Sequence, residues 1–282
     1  MENSFLDVIP RVPVSEWISA TVDWLTNNLA WLFGAIQDAG DWLMDTMTDL
    51  LLLIPDFVFI IIMVALAFFA AKKKFGLPIF TLVGLLYIQN QGLWESLMYT
   101  FTLVIVASLV SIIIGVPAGI LMAKSKIANT ILSPILDFMQ TMPAFVYLIP
   151  AVAFFGIGMV PGVFSAVIFA LPPTVRFTNL GIRQVSEEMV EAADSFGSTG
   201  SQKLFKVELP LAKATMMAGI NQTVLLALSM VVIASMIGAP GLGEEVISAL
   251  QRAQVGPGFV SGLSLVVLAI ILDRIMQGFN KR

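Results

Sequence analysis

Seven stretches of the chain are apolar for long enough to cross a membrane as helices: roughly residues 52–71, 76–92, 96–123, 131–157, 161–181, 212–236 and 259–277. A helix needs about 20 mostly apolar residues to span a hydrocarbon core of about 30 Å. The third run, FTLVIVASLVSIIIGVPAGILMA, is the clearest, with Gly115 and Pro117 as expected sites of bending. The second is the weakest, because Gln89, Asn90 and Gln91 crowd its end. This pattern predicts an all-α integral membrane protein.

The polar residues between the runs set the orientation. Lys72, Lys73 and Lys74 follow the first run, Lys124 and Lys126 the third, and Lys203, Lys206 and Lys213 lie between the fifth and sixth. Lys281 and Arg282 close the chain, and Arg176, Arg183 and Arg274 lie near the same ends. With seven spans, all but Arg11 and Arg252 of the 15 basic residues fall on one side. Lys and Arg stay cytoplasmic, which puts the N-terminus outside and the C-terminus inside.

Residues 1–49 carry eight acids (Glu2, Asp7, Glu16, Asp23, Asp38, Asp41, Asp45 and Asp49) against Arg11 alone. Within them Trp17, Trp24 and Trp31 recur every seven residues, with Ile18, Leu25 and Leu32 beside them. At about 100° per residue this is one stripe on a helix. Tryptophan favours the membrane interface, so an amphipathic helix lying on the outer leaflet is one reading. A helix packed on the bundle is the other. The chain thus divides into an acidic N-terminal segment (1–49), two leading spans (50–92) and a core of five spans (93–282).

Composition removes whole classes of chemistry. The chain is 58% hydrophobic and 12% charged, with a mean hydropathy of +0.92, too apolar for a soluble surface. It holds no cysteine and no histidine, which excludes disulfides, thiol catalysis and every His-dependent triad. No G-x-x-x-x-G-K-[ST] phosphate loop is present. In GAPGLGEE (238–245) only fragments of a dinucleotide fingerprint occur, so Gly241 and Gly243 are expected to serve a turn.

One segment stands apart. EAADSFGSTGSQKLFKVELP (191–210) is polar, carries both charge signs and lies between two long apolar runs. Ser186 stands where an N-cap belongs, with Glu187 and Glu188 in the first turn, where carboxylates complement the helix dipole. Gly197 should break that helix, and Ser198 or Thr199 should cap a second one ending at Pro210. A loop spent on capped helices and a placed glycine is better explained as a partner surface than as a solvated connection.

These residues carry a resemblance. Glu191-Ala192-Ala193, Gly197, Val207 and Leu209-Pro210 stand at the spacing of the EAA loop of ABC-importer permeases, with Val207 in place of the commoner isoleucine. The run LDFMQTMPAFVYLIPAVAFFGIGMVPGVFSAVIFALPPTVRFTNLGI (136–182) resembles the permease subunits of osmoprotectant importers for glycine betaine, proline betaine, carnitine or choline. The resemblance covers residues 93–276. It implies a type I ABC importer permease fold, in which 186–210 is the coupling loop that docks on a cytoplasmic ATPase. It further implies two ATPase copies, a homodimer of this chain with its pathway on the twofold axis, and a separate extracytoplasmic solute-binding protein. The chain itself would not be an enzyme and would hold no cofactor, ATP and Mg being bound by the ATPase; no nucleic-acid partner is implied. Osmotic sensing is expected mainly on the ATPase, because no basic run beyond Lys72–Lys74 stands out.

Polar residues at membrane depth are costly and therefore candidates for function. Asp137, Gln140, Thr141 and Pro143 lie near the inner half of the fourth run, Arg176 and Asn179 in the fifth after Pro172-Pro173, and Asn221, Gln222 and Thr223 in the sixth. They line a pathway or hydrogen-bond helices together, and Asp137 and Arg176 are placed to pair as a gate. A quaternary ammonium favours an aromatic cage. Tryptophan, the best cage residue, is absent after Trp94, leaving Phe145, Tyr147, Phe154, Phe155 and Phe169. A weak site here and a selective one on the binding protein are expected. The competing class is an ion-coupled secondary transporter or osmotically gated channel, which would leave the EAA loop unexplained. A non-transporting scaffold is disfavoured by the polar groups in the spans.

Overall fold

The computed structural model describes residues 12–72 and 74–280. Glu2, Asp7, Arg11, Lys73, Lys281 and Arg282 lie outside the described residues. No strand occurs among those described.

The chain opens with α1 (Val14–Asn28) and α2 (Ala30–Leu53), then α3 (Asp56–Ala70), α4 (Gly76–Asn90) and α5 (Trp94–Lys124). Next come α6 (Lys126–Thr141), a 3-10 turn (Ala144–Tyr147), α7 (Leu148–Phe155) and α8 (Met159–Arg183). Two short helices, α9 (Glu187–Ser195) and α10 (Gly200–Lys203), lead through a π turn (Leu204–Glu208) into α11 (Leu209–Ser235). The last helices are α12 (Leu242–Gln251) and α13 (Val255–Asn280).

The seven apolar runs become three kinds of element. Four continuous helices, Trp94–Lys124, Met159–Arg183, Gly200–Ser235 and Val255–Asn280, are long and apolar enough to cross a membrane. Two more runs belong to bent pairs, α2 with α3 at 96° and α6 with the segment Ala144–Phe155 at 109°. The seventh, α4, has 15 residues, about 22 Å of helix. The span expected over 131–157 is therefore not one helix. Pro143, which caps the 3-10 turn at φ −56 and ψ 135, holds Met142 in extended backbone, because a residue before proline is kept out of the α region.

Helices α5, α8 and α11 form the centre, where α8 packs most extensively against the other two. The seams are close because glycine faces them. A Cβ on Gly119 of α5 would lie 2.6 Å from the Val175 carbonyl of α8, and one on Gly219 of α11 would lie 2.9 Å from that of Pro173. Gly115 and Pro117 do not divide α5, which runs unbroken for 31 residues; Gly115 instead seats Thr174. Proline leaves carbonyls of the preceding turn free, and neighbouring polar groups must answer them. Near Pro172-Pro173 two hydroxyls of neighbouring helices reach the α8 backbone at carbonyls adjacent to the freed pair, Ser111 donating to Val167 (3.4 Å) and Thr223 to Ala170 (2.9 Å).

Helices α3, α4 and α13 pack together against this centre. Helix α1 buries none of its residues, and Trp17, Trp24 and Trp31 are all more than half exposed. Helix α2 runs unbroken through the boundary near residue 50 and buries Met44 and Thr48, the latter donating to Thr102 of α5 at 3.1 Å.

Candidate functional site

The segment between α8 and α11 is a hairpin of short helices. Ser186 holds the extended backbone of an N-cap, but its side chain makes no capping bond. Gly197 adopts φ +74, a left-handed value that favours glycine, and the Ser198 N–H donates back to the Ala193 carbonyl at 3.0 Å. Thr199 caps α10 in a reciprocal box with Gln202. Lys203 then reaches both carboxylate oxygens of Asp194 at 2.8 Å, pinning α10 to α9.

The second helix does not end at Pro210. It widens into the π turn, where the Leu209 N–H bonds five residues back to Leu204, and continues as α11 with Pro210 in its first turn. A proline ring collides with the carbonyl four residues earlier in an α-helix. One surplus residue in the preceding turn moves that carbonyl away. Ala193 is buried, while Glu191, Ala192 and Pro210 face solvent and Val207 and Leu209 are half-buried. Three large apolar side chains of the hairpin are exposed: Phe196 at 92%, Phe205 at 64% and Met189 at 48%.

The membrane-depth polar residues divide into three groups. Arg176 of α8 donates to Asp137 of α6 in an ion pair on the accessible side of the bundle. One turn on, Asn179 donates to Asn129 of α6 at 3.2 Å. Asn221 of α11 instead donates to Asp273 of α13 at 2.8 Å, and Gln277 shares that carboxylate. Thr223 is fully buried and meets Thr174 hydroxyl to hydroxyl at 2.7 Å, so both α11 residues bind helices together. Gln140, Thr141, Pro143 and Gln222 are exposed. Arg176 Nε, Asn179 Oδ1 and Asn221 Oδ1 are enclosed without a partner among the described residues.

Known proteins match this arrangement at two levels. Residues 115–282 fit the family described as "Binding-protein-dependent transport system inner membrane component". The glycine betaine/carnitine transport permease protein GbuB of Listeria monocytogenes is 58% identical, over 97% of this chain and 98% of its own. The chain belongs to this family.

It is the membrane-spanning translocation subunit of an ABC importer. The glycine betaine permease OpuAB of Bacillus subtilis is 47% identical over 98% of the permease chain and 97% of its own. An inward-facing structure of the MetNI methionine ABC transporter shares the fold, with a TM-score of 0.58 at 22% identity over 70% of the permease and 96% of that chain.

The aromatic residues of the permease are mostly committed to packing. Tyr147 is buried and donates to the Met139 carbonyl at 2.5 Å, stitching the 3-10 turn to α6. Phe154 stacks on Phe33 of α2 with ring centres 4.6 Å apart, Phe155 meets Phe33 and Phe164 edge-on or tilted, and Phe169 lies beside Tyr147. Phe145 alone of the five is exposed. At the other end of the bundle Gly241, at φ +127, brings the chain against α5, where the Leu242 N–H donates to Thr100 at 2.8 Å. A Cβ on Gly243 would lie 2.5 Å from the Val231 carbonyl, so both glycines serve packing. Sequence reasoning missed α12, Asp273 and Glu208. The last is a lone carboxylate directly before Leu209-Pro210, and that position was its signal.

Proposed function

We propose that this permease imports compatible solutes, glycine betaine first among them, driven by ATP hydrolysis on a separate cytoplasmic ATPase that docks on residues 186–210. The observation carrying the reading is the capped, glycine-broken hairpin with Phe196, Phe205 and Met189 exposed on it. Large apolar side chains held in water by a rigid scaffold favour a protein partner. The substrate reading rests on the near full-length similarity to glycine betaine permeases.

The subunit works as a homodimer with two ATPases. ATP binding draws the two hairpins together and opens the pathway to a docked extracytoplasmic binding protein; hydrolysis returns it inward. The N-terminus lies outside and the C-terminus inside, with α1 resting its tryptophans in the outer interface. Asp137 and Arg176 gate the inner mouth, near the unspent polar atoms of Asn179. With one exposed aromatic at the bend, the permease holds a quaternary ammonium weakly, and solute selection belongs to the binding protein.

Co-purification from membranes in mild detergent, wild type beside Gly197→Asp, tests this. An ATPase in equal amount should accompany wild type and support glycine betaine uptake in proteoliposomes supplied with binding protein. The variant should retain less ATPase or couple it less. Wild type purifying without any ATPase would remove the reading's basis.

A further inference from the structure

Glu208 is the last residue of the π turn, and its side chain is only 5% exposed. Every other carboxylate of the hairpin, Glu187, Glu188, Glu191 and Asp194, faces solvent. A carboxylate leaves water only where a cation or several donors receive it. Here the receiver is Lys124, the last residue of α5, 84 positions earlier in the chain. Lys124 also complements the α5 dipole at that end. Two residues back, the Met122 carbonyl accepts a hydrogen bond from Arg183 at the end of α8 (2.9 Å). The root of the hairpin, the end of α5 and the end of α8 are therefore joined by polar contacts at one place.

We propose that the Lys124–Glu208 pair is a strut that carries displacement of the hairpin into α5; this rests on reading residues 186–210 as the ATPase-coupling loop. The π turn is the compliant joint between the rigid hairpin and α11, since its hydrogen bonds are the least regular in that continuous helix. The chain itself ties the hairpin to α8 through residues 184–186 and to α11 through this joint, but not to α5. The strut attaches α5 at the joint itself. From α5 the path onward has no slack, because Gly119 puts its backbone against Val175 and Thr178 of α8. Helix α8 carries Arg176, which holds Asp137 on α6. The displacement thus has a contiguous route to the inner mouth that does not pass along α11. Lys124 and Glu208 are positioning residues and touch no substrate.

The test is a double-mutant cycle on the assembled transporter, with Glu208→Gln, Lys124→Gln and the double variant reconstituted with ATPase and binding protein. Glycine betaine uptake and ATP hydrolysis are measured on the same proteoliposomes. Glu208 is buried and offers no docking surface, so each single variant should keep its ATPase, hydrolyse ATP within about twofold of wild type and keep the KM for solute. Uptake per ATP should fall at least fivefold, and the double variant should be no worse than the poorer single. Glu208→Asp, which keeps the charge on a shorter arm, should fall between wild type and Glu208→Gln. Unchanged uptake per ATP in Glu208→Gln, or fully additive single effects, would overturn the strut. So would loss of assembly in both Glu208→Gln and Glu208→Asp, which would make the pair an element of folding alone. A wild-type complex lacking ATP-driven uptake would instead sink the coupling-loop reading, before any variant is compared.

Discussion

Gly197 has φ +74 and open space around its missing Cβ, whereas Gly119 lies within α5, where a Cβ would sit 2.6 Å from the Val175 carbonyl. Substitution at the two positions therefore fails for different reasons and shows in different measurements. Gly197→Ala places a side chain in the left-handed region at a cost of about 1 kcal/mol, confined to the hairpin. The thermal midpoint of the purified permease should stay within a degree or two of wild type while retained ATPase falls. Gly119→Ala forces α5 and α8 apart, at a cost of about 1–3 kcal/mol, and should lower the midpoint with the hairpin intact. The first glycine is legible in the sequence, because Ser186, Glu187 and Glu188 open a helix before it and Ser198 or Thr199 stands to cap another after it. The second is not, since its reason lies on a helix more than fifty positions away.

Among the elements, α6 and α7 show what a hydropathy pattern omits. The run 131–157 is apolar enough to span, yet the chain turns through 109° within it. Apolarity records that residues avoid water and carries no information about the direction of the helix. The clue was Met142-Pro143, and the hydroxyl of Tyr147 on the Met139 carbonyl ties the two sides of the bend together. Tyr147→Phe removes that one hydrogen bond, worth about 1 kcal/mol. It should lower the thermal midpoint slightly and speed maleimide labelling of a cysteine introduced at Gln140, on the same bend. An unchanged labelling rate would show that Pro143 alone fixes the turn. Helix α12 was legible in principle: Gly241 precedes it, and Glu244 and Glu245 stand in its first turn, where acidic residues favour a helix start.

For the whole molecule, the all-helical plan follows from the sequence, because the cost of unpaired backbone groups in a bilayer acts on every span alike. The pairing of helices does not follow. Asn221 is as plausible a pathway residue as Asn179 until Asp273 is seen to receive it, and nothing local marks that partner. The chain has no cysteine, so orientation can be read on a silent background. A cysteine at Ser201 should react with an impermeant maleimide only from the cytoplasmic side, and one at Gln254 only from outside. Labelling of both from the same side would reject the proposed orientation.

The π turn also holds a spare residue. Its hydrogen bond closes five residues back instead of four, so one residue beyond the α count is taken up as width and leaves the direction of the hairpin about the α11 axis little changed. Deleting one residue from Leu204–Glu208 would tighten the turn to an ordinary α turn rather than swing the hairpin, and would bring the carbonyl four residues before Pro210 back against its ring. The spare residue thus lets a proline stand in the first turn of a long helix without breaking it from the segment before.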